Sequence, residues 1–321
     1  MSLTFSETEA LFAAMLDGEI SEGEIRDTLI EMTERGETAE EIAGAAKAMR
    51  DRMSCVPAPH GAIDVCGTGG DGHHSLNIST AVAIVVAACD VPVAKHGNRA
   101  ASSKAGAADT LEALGLDLEK AGGMAEKTLA DLGIAFLFAQ AHHPAMRHVM
   151  PIRKAIGRRT IFNLLGPIAN PACVTRQLIG IANPDYVPIY RDAMKLLGMD
   201  KVMIVAGMEG LDELSIAGPS RVATIGLDGI PEEVSPEDAG LPRHSLEDIR
   251  GGDPAYNAAA LARLLDGERG AYRDAVLLNA AGALLVAGEA DTWRDGAEEA
   301  AEAIDKGLAK ALLDCWVATS R

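Results

Sequence analysis

Polar and apolar positions fall into two regimes along the chain. Over the first fifty residues, apolar side chains recur at helical spacing: Leu11, Met15 and Leu16, then Ile25, Leu29 and Met32, then Ile42, Ala46 and Met49. Each run follows a hydroxyl residue with Glu three places on, namely Ser6 with Glu9, Ser21 with Glu24 and Thr38 with Glu41. That pairing caps helix N-termini reciprocally. Three short helices are expected. They make a thin core by themselves, so their apolar faces should meet a further surface, of this chain or of a partner.

The pattern changes near Pro57-Ala58-Pro59, where short apolar runs begin to alternate with helical stretches. A strand is expected over Ile63 to Cys66, followed by the glycine loop Gly67-Thr68-Gly69-Gly70-Asp71-Gly72 and a helix from about Asn77 to Cys89. A second strand, Val91 to Ala94, should deliver Lys95-His96-Gly97-Asn98-Arg99. Strand, helix, strand implies parallel pairing, with both loops leaving carboxyl ends of strands, the edge where open α/β sheets bind ligands. Further strands are expected at 134–138, 178–181 and 202–206, and helices near 109–114, 186–197, 257–265, 275–287 and 297–313. The class is α/β: a small N-terminal helical domain over 1–58, joined by part of about 140–172, and a larger domain over 59–321 with a mostly parallel sheet flanked by helices.

Composition adds two points. The 321 residues are 48% hydrophobic but only 3% aromatic, so the core should be aliphatic and alanine-rich. The net charge of −18 argues against general binding of nucleic acid or anionic lipid, since the field repels polyanions. The charge is uneven, however. No Asp or Glu occurs from Leu132 to Pro184, where Arg147, Arg153, Lys154, Arg158, Arg159 and Arg176 lie. A basic middle in an acidic body fits a local anion site. Five scattered cysteines show no CxxC spacing, and no apolar run is long enough to span a bilayer, so a reducing cytoplasm is expected.

Candidate chemistry concentrates in four places. Consecutive glycines let backbone N–H groups approach an anion, and a helix start adds partial positive charge. Gly67, Gly69 and Gly72 match a dinucleotide fingerprint by letter, but the end of the second strand carries Lys95 and His96 instead of the ribose-binding acid. Asp71 beside the glycines would repel a bare phosphate, and suits sugar hydroxyls or a metal. The hydroxyls of Ser79 and Thr80 serve either as ordinary helix-start residues or as phosphate and magnesium ligands. Lys95 to Arg99, with Ser102, Ser103 and Lys104, form a dense donor set expected to meet an anion. Asp212 and Glu213, beyond a strand end, suit magnesium with phosphate oxygens. The cluster His142, His143, Arg147 and His148 matches no zinc spacing and is read as pocket lining. The run Thr160 to Pro167 is read as structural. No nucleophile arrangement is identified.

In combination these motifs resemble the anthranilate phosphoribosyltransferase family. The resemblance rests on Asp64 through Gly72, Asn77-Ile78-Ser79-Thr80, Lys95 to Arg99, Ser102 to Lys104, His143 through His148, Arg153-Lys154, Arg159 through Pro167, and Asp212-Glu213. It spans nearly the whole chain. It implies a cytoplasmic homodimer joined through the helical domain, using Mg2+, in two ions brought partly by the pyrophosphate substrate. It implies that Gly67, Gly70, Asp71, Ser75, Asn77, Ile78, Ser79, Thr80, Lys95, Ser103 and Ala107 hold phosphoribosyl pyrophosphate. Ser79, Asp212 and Glu213 would hold the metal, and Lys95, Asp212 and Glu213 would carry catalysis. Gly67, His96, Asn98, His143, Met146 and Arg153 would receive anthranilate, Arg153 pairing with its carboxylate. Three positions depart from the family pattern: Ser75 replaces the usual Thr and keeps the hydroxyl, Ala107 lacks a Ser hydroxyl, and Gln140 replaces a common Pro. A pyrimidine-nucleoside phosphorylase-like enzyme and a non-catalytic nucleic-acid-binding relative are the rival readings. The paired acids argue against the first, and the net charge with that pair against the second.

Overall fold

The computed structural model describes residues 2–100 and 104–320. Three N-terminal helices, α1 (Phe5–Asp17), α2 (Glu22–Arg35) and α3 (Ala39–Arg50), stand where the periodicity places them. The first cap is Thr4 with Glu7, not Ser6 with Glu9. The two boxes overlap in sequence, and the earlier one aligns Thr8, Phe12, Met15 and Leu16 on one buried face. Ser21 accepts from the Glu24 N–H, and Thr38 with Glu41 closes a full reciprocal box.

A seven-stranded sheet follows: β1 (Ile63–Gly67), β2 (Val93–Gly97), β3 (Ile134–Phe138), β4 (Arg176–Gly180), β5 (Lys201–Gly207), β6 (Ser220–Ile225) and β7 (Glu233–Val234), in the order β3-β2-β1-β4-β5-β6-β7. The first five strands are parallel, and β6 and β7 add an antiparallel edge that the hydrophobic pattern does not signal, because Arg221, Thr224 and Glu233 break up its apolar positions. β2 begins later than expected. Lys95 and His96 lie inside it, opposite Phe136 and Leu137 of β3. Their charge and polarity read as loop in sequence, yet the ladder and the neighbouring strands enclose them.

Two layers cover the sheet. Alternate residues of the central strands face opposite cores, as the two-residue strand period requires. Leu178, Met203 and Val205 join α4 (Ile78–Ala87) and the helix Ala271–Ala287 on one side. Ile179, Val202, Ile204 and Ala206 join α1–α3, the helix Tyr186–Leu196 and segment 149–169 on the other. The core of the N-terminal helices is therefore continuous with the sheet face. The helix expected over 297–313 is two helices, Trp293–Asp305 and Leu308–Thr319, broken at Gly307, whose φ of +73° suits a residue without Cβ. Helices Leu118–Gly123 and Ala125–Leu132 are additional. None of the described helices is long and apolar enough to cross a membrane.

Candidate active site

The chain order reverses between β1 and β4, which are neighbours although β2 and β3 intervene in sequence. At such a switch point the loops leaving adjacent strands part and open a crevice beyond the carboxyl ends. A cavity of about 770 Å³ lies there. Gly67 and Gly180 end β1 and β4 opposite each other. A Cβ on Gly67 would lie 2.2 Å from Asp212 Oδ2, and one on Gly180 would lie 1.7 Å from the Asp212 carbonyl oxygen. The two glycines thus admit the loop after β5, which carries the acidic pair to the crevice floor.

The carboxylates converge there. Asp212 Oδ2 accepts from the Gly69 N–H at 2.7 Å, and Glu213 Oε1 from the Ser79 N–H at 3.2 Å. Asp71 Oδ1 accepts from the His73 N–H at 3.2 Å, while its Oδ2 is buried without a hydrogen-bond partner. Burial, then Asp71, pushes the Asp212 carboxyl up to about 7; burial, then Asp212, pushes Glu213 up to about 8. Crowded buried acids with an unanswered oxygen are costly unless a cation joins them. Among the described residues, no group of three or more His, Cys, Asp or Glu forms a ready-made metal cage. Two carboxylates and a hydroxyl are hard oxygen donors that leave magnesium's other positions to phosphate oxygens and water, so the residues fit that ion.

Lys95 Nζ donates to the Val65 carbonyl at 2.8 Å and to Ser79 Oγ at 3.3 Å, fixing the ammonium beside the acids. Behind it, buried Asp64 accepts from the His96 N–H at 3.1 Å and from Asn170 Nδ2 at 2.8 Å. It ties β1, β2 and the approach to β4 together.

A second group of lining residues differs in character. Arg153 is largely enclosed, lies 5.3 Å over the Phe162 ring, and has no acidic partner among the described residues. Its Nη2 donates to Asn163 Oδ1 at 3.5 Å. A shielded guanidinium without a counter-ion is a receptor for an anion. His96 and His143 lie beside it in the lining, ring centroids 5.3 Å apart. Burial lowers them to about 3 and about 4, so both imidazoles are neutral.

Of the residues expected to act, Gly67, Gly70, Asp71, Ser75, Asn77, Ile78, Ser79, Lys95, His96, Asn98, Ala107, His143, Met146, Arg153, Asp212 and Glu213 line this one cavity, as does Gln140. Ser103 lies outside the described residues. Thr80 is not on the lining: it is turned into the packed side of α4, its hydroxyl buried without a partner. Asn77 reaches the cavity, but its side chain is engaged by the Ala105 carbonyl, Thr110 and Asn257, so it holds the loop together. Arg99 also lines the cavity, but its guanidinium is paired with Asp109 and Glu112. His142 Nδ1 donates to the Ser54 carbonyl at 2.9 Å, and His148 packs beside Gly18. Sequence reasoning missed Gly180, Asn163 and Asp109. No periodicity marks the first, and Asn163 lay in a run read as structural. Asp109 reads as an ordinary helix-start acid of α5 (Ala107–Ala113), though it accepts from the N–H of both Ala100 and Gly106.

A catalytic crevice of this build defines a glycosyl transferase, and the comparisons agree. Residues 1–53 match the helical bundle domain of the glycosyl transferase family and residues 60–310 its a/b domain. The chain is 66% identical over 317 residues to an anthranilate phosphoribosyltransferase of Sphingopyxis alaskensis, covering 98% of this chain and 96% of the relative. It is 64% identical to one of Novosphingobium aromaticivorans, at 98% and 95% coverage. The crystal structure of the Thermus thermophilus enzyme superposes with a TM-score of 0.94 at 41% identity, covering 100% of this chain and 97% of that one. The Saccharomyces cerevisiae enzyme in complex with PRPP and Mg gives 0.89 at 29% identity, covering 99% and 93%. The chain belongs to the anthranilate phosphoribosyltransferases within the glycosyl transferase family.

Proposed function

We propose that the cavity joins phosphoribosyl pyrophosphate to the amine of anthranilate, giving N-(5-phosphoribosyl)anthranilate and pyrophosphate for tryptophan synthesis, with a residue-by-residue division of labour. The observation that carries the assignment is the mixed lining of one cavity: clustered acids with Lys95, and an enclosed Arg153 with no acidic partner among the described residues. The glycine loop at Gly70 to Gly72, whose N–H groups are not taken by Asp212 or Gly180, receives the donor's phosphates and sugar with Ser75 and Ser79. Bound through Ser79, Asp212 and Glu213, Mg2+ neutralises charge on the departing pyrophosphate. Lys95 adds a fixed positive charge beside these acids. Arg153 pairs with the anthranilate carboxylate. The Asn98 side-chain oxygen is engaged by the Arg99 N–H at 2.8 Å, so its amide N–H groups face the acceptor role. Met146 and Phe162 supply apolar walls. Holding amine and ribose C1 in line within an enclosed site supplies much of the rate.

The test is loss of anthranilate fluorescence. It should require protein, phosphoribosyl pyrophosphate and magnesium together; loss without any one of them, or no loss with all three, overturns the assignment. We take residues 1–58 with about 140–172 as one unit, and place the protein in the cytoplasm as a homodimer through α1–α3. This rests on the family resemblance, and sedimentation of the purified protein reads one subunit or two.

A further inference from the structure

His96 Nδ1 lies 2.9 Å from the Gly166 carbonyl oxygen. A carbonyl only accepts, so Nδ1 carries the hydrogen and Nε2 presents its lone pair. His143 lies beside it with its own Nε2 buried and likewise without a partner, and the nearby Ala169 backbone favours protonation of its ring. Both Nε2 atoms are buried without a hydrogen-bond partner in residues 5% and 7% exposed, and both residues line the cavity together with Arg153. Two buried acceptor nitrogens left unanswered in one wall are a costly arrangement unless a ligand brings two donors to them. Arg153, in the same pocket, offers only donors to a ligand, and Asn98 adds amide N–H donors while its oxygen already accepts from the Arg99 N–H. The pocket is thus split by hydrogen-bond sign: donors for a carboxylate, acceptors for something carrying two N–H groups. A primary aryl amine beside a carboxylate has that complement.

We propose that the two imidazoles form an amine-reading subsite in which His96 Nε2 is the proton acceptor of the reaction and His143 Nε2 holds the second N–H. This rests on the acceptor assignment above. As the amine nitrogen forms its bond to ribose C1, the bond from C1 to the pyrophosphate oxygen breaks with its electron pair leaving on pyrophosphate. The new secondary aryl ammonium gives one N–H proton to His96 Nε2, making an imidazolium that keeps its Nδ1–H on Gly166 and later releases the proton to water. The carbonyl-fixed tautomer of His96 keeps its lone pair available before the substrate arrives, so that ring need not reorient.

The experiment compares His96→Phe, His96→Gln and His143→Phe for turnover and for binding of anthranilate, of benzoate (which lacks the amine) and of the donor. His96→Phe should lower kcat by about 100-fold or more, the range of a lost general base, and weaken anthranilate while leaving benzoate and donor binding unchanged. His96→Gln, which keeps an acceptor oxygen but not a base, should restore anthranilate binding and leave kcat low. His143→Phe should weaken anthranilate about 10-fold, the scale of one hydrogen bond. Benzoate weakened as much as anthranilate would make the rings mere walls, and kcat within threefold of the parent in both His96 variants would remove the proton transfer. Failure of the parent protein to consume anthranilate would instead overturn the acceptor assignment itself.

Discussion

Replacing Asp212 with Asn should stabilise the metal-free protein and stop its turnover. Moving a carboxyl from its usual 3.8 to about 7 costs the fold on the order of 4 kcal/mol above pH 7, at 1.36 kcal/mol per tenfold. Asp212 keeps partial exposure to the crevice, which screens part of this penalty, leaving on the order of 1–2 kcal/mol. Asn keeps an oxygen for the Gly69 N–H and turns an amide donor toward the unpartnered Asp71 Oδ2. For a carboxyl whose folded value is raised, folded and unfolded states are both protonated below about pH 4, and no cost arises. The cost grows as pH rises through the window from about 4 to about 7 and is complete above it. At pH 5 roughly a third of it remains. The expected gain in melting temperature is therefore about 2–4 °C in chelator at pH 8, and about a third of that at pH 5. Turnover should fall by on the order of 100-fold or more, since a carboxylate for the ion is gone. Magnesium with phosphoribosyl pyrophosphate should raise the melting temperature of the parent protein but barely that of the variant. An unchanged or lower melting temperature at pH 8, or an equal gain at both pH values, would show that the acids are not crowded against one another in the metal-free state.

Three further changes probe other parts of the crevice. Arg153→Ala should raise the anthranilate KM by roughly 10- to 200-fold, the equivalent of about 1.5–3 kcal/mol for a charged hydrogen bond, with the donor KM within threefold; steady-state kinetics with each substrate varied reads this, and equal losses would remove the assignment. Gly180→Ala drives a Cβ into the Asp212 carbonyl, so the β5 loop must shift; a stability loss of about 1–3 kcal/mol in urea and a large drop in magnesium-dependent turnover are expected, and a silent substitution would mean the loop moves freely. Asp109 is held below its ordinary range against the pull of burial by the N–H groups of Ala100 and Gly106 and by Arg99, which fastens both ends of the segment 99–106. Asp109→Ala should raise the donor KM at least tenfold with little effect on that of anthranilate, and Asp109→Asn, which keeps an acceptor oxygen, should recover most of the loss.

The fold was legible where local chemistry and burial agree. Capped amphipathic helices and aliphatic strands flanked by glycine announce themselves, so α1–α3 and the parallel strands were readable within a few residues. The edge strands β6 and β7 were not, since half-buried polar residues at a sheet margin carry no period. The limits of β2 were missed for the reason that makes it useful: Lys95 and His96 are polar residues that a strand would not ordinarily enclose. Such local conflict with the pattern is expected where binding, not stability, determines the residue.

The site divides along the same line. Residues whose type names their chemistry, such as Asp212, Glu213, Lys95 and Arg153, could be listed from sequence, and they do share one cavity. What could not be read is direction. Asn77 and Arg99 have the right functional groups, yet Thr110, Asn257, Asp109 and Glu112 occupy them. Gly180 has no functional group at all, but its missing Cβ leaves the space Asp212 fills. The two imidazoles make the point most sharply. A histidine in sequence is acid, base, ligand or filler. Only the carbonyl of Gly166, seventy residues beyond His96, settles which nitrogen of that ring keeps its lone pair. Tautomer is a property of the fold, and with it the sign of the hydrogen bond that this pocket offers to an amine.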